Sequence, residues 1–291
     1  MIVLWFSEAP VSSGRVWEDT MKITDLGRLE GPVVLWGGAL GNLSALLALR
    51  DVTRDEGIAG ANILFTGDLA GYCAEGEVCA DMVRRLGWRG IAGNIEKQLA
   101  DGGADCGCGF AAGSVCDTLS VKWWAHTNAT LSTASRYWFA GLPDLAVFEH
   151  ADRRYAVIHG GVTDVSRFLW PVSRQPEFAE EIGAIEAEVG PVDGVVAGHC
   201  GFGFQRVVAG RRWINAGVIG MPPNNGVPGG QYVRLDPKGA HIRRLSYDPA
   251  PSVAAMRRAG LTQGYDDALT TGRWPSEEIL PGEMRRKVMA K

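Results

Sequence analysis

Short apolar runs that stop at glycine recur along this chain and alternate with stretches of helical spacing. Val33–Trp36 reads as a first strand ending at Gly37-Gly38, followed by a helix from Asn42 to Arg50 (NLSALLALR) and a polar link over 51–61. Ile63–Thr66 is the next strand and stops abruptly at Gly67-Asp68; helical spacing then runs over Glu77–Leu86 through Val78, Met82, Val83 and Leu86. A further short strand, Gly90–Ala92, ends at Gly93-Asn94. Apolar runs bounded by glycine predict buried strands. Their alternation with helices predicts an α/β sheet with crossover connections.

Downstream the rhythm changes. Residues 101–114 (DGGADCGCGFAAGS) form a glycine-rich loop, and Leu119–Ala140 places Trp123, Trp124, Tyr137 and Trp138 at helical intervals, an aromatic stripe of the kind that packs in a core. Leu145–Glu149 and Arg154–Ile158 alternate like a hairpin that ends at His159; Phe178–Val189 is an amphipathic helix, and Gly194–Ala197 leads to Gly198-His199. Gln205–Val208, Arg212–Asn215, Gln231–Leu235 and Ala240–Leu245 read as a run of antiparallel strands. Strands from the two halves imply two facing sheets with helices outside. Helices over Pro249–Gly260 and Tyr265–Thr271 are followed by a Pro-, Glu- and Arg-rich end, expected to be extended or disordered. The domain reading is an N-terminal extension over 1–30, a principal domain over 31–248 and a helical tail over 249–291, with Met21 a natural start for the principal part.

Composition narrows the function classes. Hydrophobic residues make up 46% of the 291, enough for a sizeable core. A formal charge of −4 leaves no basic footprint for nucleic acid. No apolar run approaches the roughly 18 residues of a membrane span. The opening residues lack the leading positive charge of a secretory signal, so a cytoplasmic location is expected. In that compartment the six cysteines read as thiols or ligands rather than disulfides.

Asp68, Asn94, His159 and His199 each follow a strand and a glycine or stand beside one. In α/β folds, ligands collect at the carboxyl ends of strands. Taken singly, Asp68 and Asn94 also suit helix caps and His159 a turn. Together, one carboxylate, one amide and two imidazoles form a donor set for borderline ions such as Zn, Mn, Fe or Ni.

The order and flanks of these residues resemble the calcineurin-like metallophosphoesterases, in particular the bacterial diadenosine tetraphosphatase-like and phosphodiesterase-like branch. Gly41-Asn42-Leu43, Gly67-Asp68, Gly93-Asn94, His159-Gly160 and Gly198-His199 match successive family motifs, and Asn215–Pro222 resembles a late Asn-x-Gly-Ser segment. The resemblance covers about Val33 to Thr271 and implies a four-layer α/β/β/α sandwich, a hydrolase of phosphoric esters, a small phosphorylated substrate, and a dinuclear centre between the sheets. Asp68, Asn94, His159 and His199 complete the family's second-metal set, implying a divalent Zn, Fe or Mn ion there.

The departures lie in the first-metal set. The family's Asp-x-His is Gly38 and Leu40 here and a second His of its last motif is Gly201; outside that set, the His of its Asn-His pair, which the resemblance implies protonates the leaving group or steadies the phosphate, is Ile95. Glu96, one residue further on, is then the nearest candidate acid or base. Cys106–Phe110 and Gly198–Gly201 resemble a sub-branch with a Gly-Gly first motif, a Cys-Gly-Cys-Gly-Phe loop and a Gly-His-Cys-Gly motif. On that likeness Cys73, Cys106, Cys108 and Cys200 are candidate additional ligands. Small buried packing residues are the other reading of them. The expectation is a mononuclear or cysteine-assisted hydrolase; the alternative is an inactive pseudophosphatase that keeps the cleft for binding. Arg153, Arg154 and Arg167 are candidates to meet a phosphate, although a solvated surface explains arginines equally well.

Overall fold

Hydrophobic alternation becomes two mixed sheets in the structure, a computed structural model that describes residues 21–286. The first twenty residues, most of the expected extension, lie outside the described residues. In chain order the elements are β1 (Ile23–Arg28), β2 (Val33–Trp36), α1 (Leu43–Asp55), β3 (Ile63–Phe65), α2 (Gly76–Leu86), β4 (Arg89–Gly90), α3 (Asn94–Asp101), α4 (Val115–Thr130) and α5 (Thr133–Ala140). They continue as β5 (Leu145–His150), β6 (Arg153–Val157), α6 (Gln175–Val189), β7 (Gly194–Ala197), β8 (Gly203–Val208), β9 (Arg211–Ala216), β10 (Gly230–Asp236), β11 (Gly239–Leu245), α7 (Ala250–Arg258) and α8 (Tyr265–Thr271).

One sheet has the order β1-β5-β6-β7-β9-β8 and the other β11-β10-β2-β3-β4. Val33, Leu35, Leu64, Ile91 and Val233 of one sheet meet Phe148, Tyr155, Val157, Val196 and Ile214 of the other in a buried layer between them. Helices α1 to α5, α7 and α8 cover one outer face. Helix α6 covers the other, with Leu280 and Ile279 from the C-terminal segment. This is the four-layer arrangement the resemblance implied. Among the described residues, no helix is long and apolar enough to cross a membrane.

Several boundaries differ from the sequence reading, each for a physical reason. Residues 23–28, expected within an extension, form β1, which pairs in parallel with β5. Helix α1 runs on past Arg50 into the expected polar link. Its buried face continues to Thr53, and Arg50, Asp51, Arg54 and Asp55 pair on the solvent side. The stretch over 119–140 breaks at Leu131-Ser132, where Ser132 caps α5 by accepting from the Ser135 N–H at 3.1 Å. Its aromatic stripe divides accordingly: Trp123 and Trp124 are buried, whereas Tyr137 is 77% exposed. The four late strands split between the sheets, β8 with β9 in one and β10 with β11 in the other. The C-terminal end, expected to be loose, packs through Trp274, Ile279 and Leu280.

The parallel strands set up the cleft. Trp36 lies beside Phe65 and Phe65 beside Gly90, so β2, β3 and β4 end side by side; Val157 and Val196 do the same at the ends of β6 and β7. The chain leaves these ends as the loops that carry Leu40, Asp68, Asn94, His159 and His199.

Candidate metal centre

Asp68 and His199 both adopt left-handed backbone, each with φ 62°. That conformation costs a non-glycine residue on the order of 1 kcal/mol and clusters at functional sites. Glycine neighbours make room for the side chains. A Cβ on Gly93 would collide with Asp68 Oδ1 and with His159 Cε1.

The donor atoms converge on His159 Nε2. Asn94 Oδ1 is 2.9 Å away, His199 Nδ1 3.0 Å and Asp68 Oδ2 3.3 Å. His159 Nδ1 lies in hydrogen-bond contact with the Thr66 carbonyl, to which it must be the donor. That bond fixes the tautomer with its lone pair on Nε2, as an outer-shell partner does for metal-ligating histidines. A lone pair facing two buried oxygens and the nitrogen of a half-buried imidazole is a cluster of acceptors that one proton cannot satisfy. A cation does satisfy it, and the residues fit a divalent metal. The ligand atoms of Asp68, His159 and His199 all lie within 4.8 Å of one another.

Electrostatics separates the two imidazoles. Burial disfavours charge on His159, yet the Asp68 carboxylate outweighs it and raises the His159 pKa above its ordinary value. Burial, reinforced by charge on His159, pushes His199 down to about 3. For Asp68, burial acts upward, but the facing His159 holds the carboxyl below the usual range. His199 Nε2 is buried without a hydrogen-bond partner.

The cysteine loop serves Asn94 rather than the ligand group. Asn94 Nδ2 donates to the Cys106 carbonyl at 2.8 Å and to Cys108 Sγ at 3.3 Å, which turns Oδ1 toward His159. Among the described residues, no thiol joins the cluster of Asp68, His159 and His199. Burial favours the protonated form of the Cys73, Cys108 and Cys200 thiols in the metal-free protein. It pushes Cys200 up to about 12, and it raises Cys73 and Cys108 as well. The expected ligand roles of Cys73, Cys106, Cys108 and Cys200 therefore have no counterpart in this geometry.

Glu96 is likewise turned away from chemistry. Its two oxygens accept from the Asp68, Leu69 and Gly93 N–H groups at 2.7, 2.7 and 2.8 Å, and the side chain is fully buried. Burial, with the nearby Asp68 charge, lifts it to about 7 against those three bonds. It braces the Asp68 turn onto the start of α3. Glutamate three residues after a helix cap is the pattern of a capping box, the signal that points to this role.

Neither a protein-family model nor any curated protein matches the chain. Solved structures do. A metallophosphoesterase from Sphaerobacter thermophilus aligns with a TM-score of 0.62 at 20% identity, over 83% of this chain and 98% of that one. A hypothetical protein from Pyrococcus horikoshii OT3 aligns at 0.68 and 14% identity, with the same coverage. The chain has the calcineurin-like metallophosphoesterase fold.

In this metallophosphoesterase fold, the places where the family resemblance would put the first metal's ligands are apolar. Leu40 (φ 52°) lines the cleft and the position of a Gly201 Cβ is 3.2 Å from the Trp274 ring; Ile95, at the place of the family's Asn-His histidine, is fully buried. Trp274 is anchored from the C-terminal segment by its Nε1–H to the Pro222 carbonyl at 2.6 Å. The result is a cavity of about 80 Å³ beside Asp68 and His199, walled by Tyr72, Phe110, Phe168, Trp170, Tyr265 and Trp274. No lysine or arginine is among its described lining residues. Arg167 pairs with Glu180 and Glu181, each at 2.6 Å, Arg154 donates to the Val189 and Pro191 carbonyls, and Arg153 stands at the opposite end of β6 from His159. Sequence reading missed Phe168, whose ring centroid lies 4.2 Å from that of His199, and Trp274, because nothing local marks an aromatic in a loop as part of a distant cleft.

Proposed function

We propose that this protein is a metal-dependent hydrolase of phosphoric esters that holds a single divalent ion, Zn, Fe or Mn, through Asp68, Asn94, His159 and His199. The observation that carries the reading is the convergence of two oxygens and a second imidazole on the lone pair of His159 Nε2. A bound ion would polarise a phosphoryl oxygen and bring the pKa of water from 15.7 to about 7. One carboxylate with three neutral donors leaves a dication with net positive charge. That charge, rather than a lysine or arginine, attracts the phosphate. Asp68 supplies the charge, Thr66 orients His159, and the Cys106–Cys108 loop orients Asn94. Glu96 braces the Asp68 turn, both of its oxygens accepting from backbone N–H groups. The substrate is a small phosphorylated molecule, and the work is done in the cytoplasm.

A second reading, a binding protein without turnover, is favoured by one observation: glycine and leucine stand at Gly38, Leu40 and Gly201. Elemental analysis of protein purified without chelators, followed by assays on phosphomonoesters and phosphodiesters, separates the two. About one ion per chain with turnover supports the hydrolase. An ion without turnover supports the binding protein, and no ion after reloading with Zn, Mn and Fe overturns the metal centre itself.

A further inference from the structure

The vacated half of the cleft has not simply collapsed. Leu40 and Trp274 fill the places of the missing ligands, yet about 80 Å³ stays open between aromatic side chains. A water's share of liquid volume is about 30 Å³ and a buried one needs two to four polar partners, so this volume corresponds to about three waters. The lining offers few polar atoms: the Asp68 carboxylate, His199, the Ser276 hydroxyl and two tyrosine hydroxyls. Water is a poor occupant here.

The walls are also uncharged apart from Asp68. Burial favours the protonated form of Tyr72 and Tyr265. An anionic group would meet no lysine or arginine among the described lining residues and, in the metal-free chain, would face the Asp68 charge. The aromatic planes are held rigidly: Phe168 stacks on Trp170 with centroids 5.0 Å apart and planes 1° from parallel, and Tyr72 stacks on Trp123 at 4.5 Å. Preset ring faces in a small dry space suit another planar ring, by stacking and edge contacts.

We propose that the cavity beside His199, walled by Tyr72, Phe168, Trp170 and Trp274, binds a neutral planar aromatic group. For an ester acted on at the metal centre, this group is its organic half. That last assignment alone rests on the function proposed above; the binding does not.

The test titrates the full chain with benzamide, benzoate and cyclohexanecarboxamide, followed by ligand-observed NMR. Benzamide is expected to bind. Benzoate, of the same shape but charged, is expected at least about tenfold weaker in the full chain freed of metal, where the Asp68 charge is not offset. The saturated amide is expected about threefold weaker or more. Ser276→Trp plugs the rim of the cavity from a half-buried position and is expected to abolish benzamide binding, while Phe168→Leu weakens it severalfold. No benzamide binding, equal binding of all three probes, or undiminished binding by both variants overturns the inference. Elemental analysis of the same samples reads the metal separately. Benzamide bound by a chain that takes up no ion upholds this inference while overturning the hydrolase.

Discussion

On one side of the cleft the turns after β3, β6 and β7 and the start of α3 carry Asp68, Asn94, His159 and His199. On the other, the turn after β2 and the segment after α8 carry Leu40 and Trp274. Leu40 and Asp68 grow from equivalent positions at neighbouring strand ends and are joined through the backbone, since the Leu40 N–H donates to the Asp68 carbonyl at 3.0 Å, whereas Trp274 arrives from the segment after α8. The polar side is over-determined by hydrogen bonds that leave acceptors facing one another, whereas the apolar side is held by packing. A strand end therefore does not dictate chemistry; it only brings whatever it carries to the cleft. One half can lose its ligands without disturbing the other, because each is braced separately, the first by Glu96 and the Cys106–Cys108 loop and the second by the Trp274 anchor.

That independence can be broken experimentally. The largest effect is expected from Asp68→Ala and His199→Ala, each lowering metal affinity more than about 100-fold by calorimetry. Metal retained by both variants would overturn the assignment of the polar side. Trp274→Ala should reduce stability by about 2 kcal/mol in denaturant, through lost packing in a half-buried position, while bound metal stays unchanged. Loss of metal in that variant would show that the halves are coupled after all. Glu96→Gln replaces an accepting oxygen by an amide that cannot accept from a backbone N–H, so about 1–2 kcal/mol of stability should go. Metal-loaded Glu96→Gln should keep its turnover; abolished turnover at unchanged stability would restore Glu96 as an acid or base.

The smallest effect sharpens the difference between the imidazoles. Asp68 raises His159 above its ordinary value, so below that raised value His159 carries a second proton, on Nε2, that metal must displace, while His199, pushed down to about 3, stays neutral. Affinity should therefore fall as pH is lowered through the raised His159 value, by about tenfold per pH unit once it is fully protonated. Calorimetry in buffers of different ionisation enthalpy should count about one proton released. Two would contradict the separation of His159 from His199.

The polar side was legible in the sequence because each donor there follows a buried apolar run and sits against a glycine, a local signature. The two facing sheets were legible for the same reason. What escaped notice depends on partners far away in the chain. Strand β1 is short and half-exposed, and only its pairing with β5 makes it a strand. The polar end of α1 reads as a link because its Arg50–Asp51–Arg54–Asp55 pairs face solvent, although Thr53 beneath them is buried. Cysteines near Asn94 suggested thiolate ligands. Their real contribution, a carbonyl and a sulfur accepting from the Asn94 amide, needs three dimensions to see. Trp274 contacts the site only because the C-terminal segment returns to it.

Strand β2 lies between β3, its near neighbour in sequence, and β10, which begins at Gly230. During synthesis the chain can pair one edge of β2 early, but the other edge stays open until β10 has left the ribosome. Closing so long a loop is slow, and an open apolar strand edge is prone to pair with other chains in the meantime. A ribosome stalled before residue 230 would hold a half-sheet whose exposed edge invites aggregation, so the whole fold ripens only as the last fifth of the polypeptide emerges.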